Sequence, residues 1–114
     1  MKNCIFCKII NKEIKADIVD ETKNSIAFKD INPQSPIHVL IIPKVHISST
    51  IEINKKNIHL LSDMILLSNK ISKSKKITNN GYRWVVNTGK EGGQTVDHLH
   101  LHLIGGRTLS WPPG

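Results

Sequence analysis

The stretch 96-VDHLHLHLIGG-106 alternates histidine with leucine through His98, His100 and His102. In an extended strand, residues i, i+2 and i+4 share one face at intervals of about 6.6–6.8 Å. The alternation therefore puts three imidazoles on one side and sends Leu99, Leu101 and Leu103 into a core on the other. Half of the chain's six histidines fall within these five residues. A solvated strand face would be served as well by Lys, Thr or Glu, so histidine at each outward position points to chemistry. Imidazole is the side chain whose unperturbed pKa lies nearest neutrality, and it can serve as nucleophile, base, acid or metal ligand. His98 and His102 stand about 13 Å apart along the strand, whereas a tetrahedral Zn²⁺ holds its nitrogens within about 2.1 Å. All three are poorly placed to hold one ion. Two neighbours can share one only if further ligands come from elsewhere.

Upstream, the loop 88-TGKEGGQT-95 suggests what the imidazoles face. Gly92 and Gly93 let the backbone turn sharply and expose its N–H groups, and such a nest attracts anionic oxygens. Gln94 and Thr95 add donors just before the histidines. A phosphate held here would meet an imidazole directly. A neutral ring whose Nδ1–H is tied to a backbone carbonyl presents its Nε2 lone pair to phosphorus, the start of nucleophilic catalysis. A second imidazole can then stabilise charge on the equatorial oxygens.

The remaining sequence reads as one domain, residues 1–114. A chain of this length buries roughly two-thirds of its unfolded surface, enough for a core without staples. The net charge of +7 suits an anionic ligand such as a nucleotide. All the basic residues but Arg83 and Arg107 are lysines spread along the chain, and aromatic content is 4%. A nucleic-acid platform would interleave aromatics with its basic residues, so none is expected. No segment approaches the ~20 apolar residues of a membrane span, and the N-terminus lacks a signal peptide's long apolar run. These features predict a cytoplasmic protein, in which a disulfide would be out of place.

Residues 5–12 predict a short helix with Phe6, Ile9 and Ile10 on one side. Ile18–Val19 and Ser25–Phe28 read as strands around the polar turn 21–24. The loop 32-NPQSP-36 is stiffened by its two prolines and feeds a strand over His38–Ile42, ended by Pro43. A long helix is expected over Lys55–Lys75 with Asn54 as N-cap. Leu60, Met64, Leu67 and Ile71 form its inward stripe, and lysines gather at its C-terminus, where the dipole favours cations. Tyr82–Asn87 and Leu99–Ile104 complete the strands. Strands outnumber helices without βαβ alternation, which predicts an α+β fold with an antiparallel sheet. Cys4-Ile-Phe-Cys7 has the spacing of half a zinc site or of a redox pair. A redox pair would be expected near a βαβ pattern, and zinc needs two more ligands; two small buried thiols are the plainer alternative.

Taken together, His98-Leu-His100-Leu-His102-Leu-Ile104 resembles the His-φ-His-φ-His-φ-φ motif of the histidine triad (HIT) superfamily. The segments 30-DINPQSPIHVLIIPKVHI-47, 81-GYRWVVNTGKEGGQTVDHLHLHLIGGR-107 and 111-WPPG-114 resemble its Hint branch, the histidine triad nucleotide-binding proteins. Only the helix at 55–76 is generic. The resemblance implies a HIT-like fold: a five-stranded antiparallel sheet with one long and one short helix, dimerising into a continuous sheet. It implies a purine nucleoside phosphoramidase that cleaves the bond to the α-phosphate and releases a nucleoside monophosphate and an amine. His100 would be the nucleophile and form a nucleotidyl-imidazole, His102 would contact the phosphate, and His38 would support the triad by hydrogen bonding. Thr95, where many relatives carry Ser, would sit near the leaving group. Asn87, Gly93, Gln94 and Val96 would line the phosphate and nucleoside pocket, and Asp30 would take the ribose hydroxyls. Phe6, Ile9, Phe28 and Ile31 would sandwich the base. Trp111, followed by two prolines, would dock close to the partner's active site in a homodimer.

His46 resembles the position that completes a Cys-Cys-His-His site in zinc-bearing relatives, with Cys4, Cys7 and His98. That zinc would be structural and not required for catalysis. Three other readings stay open: a dinucleoside polyphosphate hydrolase of the same superfamily, a non-catalytic nucleotide-binding scaffold, and a catalytic zinc hydrolase using His100 and His102 as ligands. The WPPG ending and the absence of a long loop before the triad favour the Hint reading over the first. Apolar walls stack on adenine or guanine alike, and the physiological amine is not written in the sequence.

Overall fold

The computed structural model describes residues 3–114. In chain order the elements are α1 (Ile5–Ile10), β1 (Ile18–Glu21), β2 (Ser25–Lys29), β3 (Ile37–Pro43), a 3₁₀ turn (Thr50–Glu52), α2 (Ile58–Ser74), β4 (Tyr82–Val85) and β5 (Leu101–Gly105). The strands form one five-stranded sheet in the order β1-β2-β3-β5-β4, antiparallel at every pairing. This is the α+β architecture the pattern predicts.

Side-chain alternation sorts the sheet's two faces. Ala27, Val39, Ile41, Leu101 and Leu103 join Leu60, Met64, Leu67 and Ile71 of α2 in the larger core. Ile26, Phe28, Leu40 and Ile42 point the other way and join Phe6 and Ile9 of α1. β3 is the central strand covered on both faces, so it reads as a continuous apolar run. Its register opposes His38 to Ile104 and Leu40 to His102, which places His38 and His102 on the α1 face. Burial of a leucine such as Leu101 or Leu103 contributes about 1.5–3 kcal/mol. Asp63 fastens α2 to the β1–β2 turn, since the hydroxyls of Thr22 and Ser25 both donate to its Oδ2 at 2.6 Å. Among the described residues no helix is long and apolar enough to cross a membrane.

Several boundaries differ from expectation for local reasons. α2 begins at Ile58 rather than Lys55 and ends at Ser74. Asn54 and Asn57 build a separate turn before it: the Asn54 carbonyl accepts from Asn57 and Ile58, and its Oδ1 accepts from Lys56 N–H. The N-cap is therefore Asn57, whose side chain turns back to Asn54 N–H and Glu52 O instead of capping the helix. α1 ends at Ile10 before Lys12 takes a positive φ of 63°. β4 stops at Val85, two residues early, and β5 starts at Leu101. His98 and His100 thus precede the strand. Their segment is held by Leu99 N–H donating to Ile47 O at 2.7 Å, in the connection that follows β3.

Candidate functional site

His100 is 4% exposed and its Nδ1 lies 2.8 Å from the carbonyl oxygen of His98. A carbonyl only accepts, so Nδ1 carries the hydrogen and Nε2 keeps its lone pair. Phe6 meets this ring in a T-shaped contact with centroids 5.2 Å apart, and the His102 ring lies 5.1 Å from it. The histidine face expected to be outward is therefore roofed by α1.

The tautomers of His38 and His102 follow from one fixed donor. Gln34 N–H donates to His38 Nδ1 at 3.0 Å, so the neutral His38 ring holds its hydrogen on Nε2. That Nε2–H donates to His102 Nδ1 at 2.9 Å and lies 3.4 Å from Asp30 Oδ2. With Nδ1 accepting, His102 carries its hydrogen on Nε2. This nitrogen is buried and has no partner among the described residues. An unsatisfied buried donor costs about 1–3 kcal/mol, and an anionic oxygen would satisfy it. Burial, reinforced by the neighbouring His100 and His38 rings, lowers the His102 pKa to about 4. Burial also lowers that of His38, against the opposing pull of Asp30. Both rings are neutral at pH 7, as the hydrogen-bond chain requires.

Four other side chains converge beside the triad. Cys4, Cys7, His46 and His98 each offer a ligand atom, all within 4.8 Å of one another. His98 Nδ1 lies 3.3 Å from Cys4 Sγ, 3.6 Å from Cys7 Sγ and 3.1 Å from His46 Nδ1. Cys7 Sγ lies 3.3 Å from His46 Nδ1. Tetrahedral zinc, with bonds of about 2.3 Å to sulfur and 2.0–2.1 Å to nitrogen, separates S and N by about 3.5 Å and two N by about 3.3 Å. The donor set and its spacing fit a divalent metal such as zinc. His98 Nε2 donates to Pro43 O at 2.9 Å, which leaves Nδ1 as the ligating nitrogen. Burial, with the Cys4 thiol beside it, raises the Cys7 pKa, a direction that a bound cation reverses. The helix places both thiols: Cys4 is the N-cap of α1, and its sulfur accepts from Cys7 N–H at 3.4 Å.

The other expected site residues separate into buried walls and exposed rim. Phe6 and Phe28 meet edge to face at 5.5 Å, and Ile9 and Val96 pack in the same cluster. Ile31 is fully exposed at the rim. Asp30 Oδ1 accepts from Asn32 N–H at 2.8 Å. Asn87 is half-buried close to Gly93, which has a positive φ of 82°. A Cβ at Gly92 would meet Thr88 O at 2.3 Å, so that close turn requires glycine.

The donors of this loop are placed differently from expectation. Gly93 N–H donates to Lys90 O and Gln94 N–H to Gly89 O, inside the turn. The Gln94 amide donates to Ser48 O and Val96 O and accepts from Gly89 N–H, so its side chain braces the loop. Thr95 is exposed, and Trp111 is 82% exposed on a tail tied by Arg83 donating to Ser110 O. Sequence reading missed Gln34 and Pro43, whose backbone groups orient His38 and His98. The prolines around Gln34 were the only trace of that role. A groove of about 590 Å³ lined by Tyr82, Arg83 and Arg107 contains none of the six histidines, whereas one of about 510 Å³ opens beside Cys4, His46 and Thr95.

Comparison with known proteins agrees with this geometry. A family model described as "Scavenger mRNA decapping enzyme C-term binding" matches residues 3–110. An uncharacterized HIT-like protein of Synechococcus elongatus is 49% identical, with 99% of this chain and 98% of that protein covered. The crystal structure of a HIT family hydrolase from Legionella pneumophila superposes with a TM-score of 0.96 at 47% identity, covering 98% of this chain and all of that one. A histidine triad nucleotide-binding protein from Candida albicans superposes at 0.83 with 37% identity, covering 96% and 83%. Sequence and fold match over nearly the whole length, and the chain belongs to the histidine triad superfamily with the fold of its hydrolases.

Proposed function

We propose that this chain is a purine nucleoside phosphoramidase of the Hint type. The observation that carries the reading is the pairing of a fixed Nε2 lone pair on His100 with an unpartnered Nε2–H on His102. In this reading the His102 hydrogen meets a non-bridging oxygen of the α-phosphate. His100 Nε2 attacks phosphorus, the P–N bond of the substrate breaks, and the amine leaves with a proton drawn from solvent and relayed by the exposed Thr95 hydroxyl. The resulting nucleotidyl-imidazole is cationic, and the His98 carbonyl at Nδ1–H stabilises it. Water then attacks phosphorus and gives a proton back to solvent, the P–Nε2 bond breaks to return neutral His100, and nucleoside monophosphate departs.

Phe6, Ile9 and Phe28 enclose the purine, with Ile31 at the rim. Asp30 keeps lone pairs for the ribose hydroxyls beyond its bond from Asn32. Asn87, Gly93, Gln94 and Val96 shape the phosphate end. Cys4, Cys7, His46 and His98 hold a structural zinc, which supplies cross-linking. Trp111 docks on the second copy of a homodimer, and the protein works in the cytoplasm.

The deciding experiment compares adenosine phosphoramidate with a diadenosine polyphosphate and seeks a nucleotidyl adduct on His100 by mass spectrometry. Preference for the phosphoramidate and an adduct lost in His100→Ala are expected. A strong preference for the polyphosphate would move the chain to the dinucleoside polyphosphate hydrolases. Binding without turnover of either would make it a scaffold.

A further inference from the structure

We infer that the metal cluster positions the purine pocket, so that metal and nucleotide bind cooperatively through α1; this deepens the nucleotide and metal readings above and rests on them. α1 spans six residues, and helices shorter than about 12–15 residues are marginal on their own. Its backbone bonds close locally: Lys8 N–H to Cys4 O, Asn11 N–H to Cys7 O and Glu13 N–H to Lys8 O. Two kinds of side chain hold it over the sheet, and they interleave. Cys4 and Cys7 reach His98 and His46, while Phe6 and Ile9 form the apolar wall with Phe28. Displacing the thiols displaces that wall.

His98 joins the two sites directly. Its Nδ1 faces both sulfurs and His46, its Nε2–H is fixed to Pro43 O, and its own carbonyl receives the Nδ1–H of His100. Phe6 makes T-shaped contacts with His98 and His100 at once, at 5.8 and 5.2 Å between centroids. His98 and Phe6 are thus positioning residues. A metal bound by the thiols and imidazoles pins the helix that carries the pocket wall and the residue that orients the nucleophile. Coupling between two binding equilibria is reciprocal, commonly about 5–150-fold.

The test uses the full chain, loaded with zinc or stripped by a chelator, and reads adenosine monophosphate affinity by calorimetry with hydrogen exchange alongside. Stripping is expected to weaken nucleotide binding about 10-fold and to speed exchange of the 5–10 amides by clearly more than that of the α2 amides. Zinc affinity, read by competition with a chromophoric chelator, should rise by the matching factor when nucleotide is added. In Phe6→Leu the loaded and stripped forms should bind nucleotide nearly alike. Equal affinity of the two wild-type forms overturns the coupling and leaves the proposed function standing. No nucleotide binding in either form overturns both. Exchange of α2 speeded as much as that of residues 5–10 on stripping would mean that metal holds the whole fold alike, and failure to take up zinc would remove the cluster's role; either result overturns the inference.

Discussion

His98 and His102 leave the same face four residues apart, both buried enough to have pKa values lowered to about 4, yet their rings are wired in opposite senses. At His98 a backbone acceptor, Pro43 O, fixes the hydrogen on Nε2 and leaves the Nδ1 lone pair to the thiols and His46. At His102 a backbone donor, Gln34 N–H, sets a relay through His38 that leaves a buried Nε2–H with no acceptor among the described residues. One end of the motif therefore offers lone pairs to a cation and the other offers a hydrogen to an anion. His100 stands between them, its Nδ1–H held by the backbone of the residue whose ring faces the metal donors.

The largest break in this comparison comes from removing the centre. His100→Ala should lower turnover by about 10⁴-fold or more while retaining zinc, read by steady-state kinetics and metal analysis. Loss of zinc would instead favour a catalytic zinc site on His100. At the anion end, His38→Ala removes the donor to His102 Nδ1 and lets its tautomer invert. It should cost about 10²-fold in kcat, with KM changed less. At the cation end, Cys4→Ser should abolish stoichiometric zinc and lower the melting midpoint by about 10 °C, on the order of 2 kcal/mol for a domain of this size. His100 still makes its adduct in that variant.

Protonation provides a gentler probe. The folded-state pKa of His102 lies near 4, below the ordinary 6.5. The unfolded chain therefore binds more protons between these values, and stability falls as pH drops from about 6.5 towards 4. The His102→Asn variant should show a flatter decline in melting midpoint over that window. The smallest effect belongs to Thr95→Ser, which keeps the hydroxyl and should stay within about 2-fold of the parent, whereas Thr95→Val should lose about 10-fold in kcat.

Periodicity carried much of this molecule openly. Leucine alternation announced Leu99, Leu101 and Leu103 as core, all 1% exposed or less, and the +4, +3, +4 stripe announced Leu60, Met64, Leu67 and Ile71. The apolar run over His38–Ile42 likewise signalled a strand, and the structure covers it on both faces. Boundaries were less legible because they turn on local side-chain bonds, as where Asn57 folds back towards Glu52 and delays α2. Gln94 looked like a free donor because nothing nearby in sequence accepts from it except Val96 O; its second acceptor, Ser48 O, comes from a distant loop.

The sequence by itself determined which side of the backbone each histidine leaves, and that Cys4 and Cys7 sit one helical turn apart. Only the tertiary structure decided that α1 roofs the histidines, that His46 meets the cysteines, and which nitrogen of each ring bears the hydrogen. The physical reason is range. Side-chain direction follows from the period of a strand or helix, set by neighbours within a few residues. A tautomer follows from the donor or acceptor placed against the ring, and for His98 and His102 those partners, Pro43 O and His38 Nε2, arrive from the two ends of β3, more than fifty residues away.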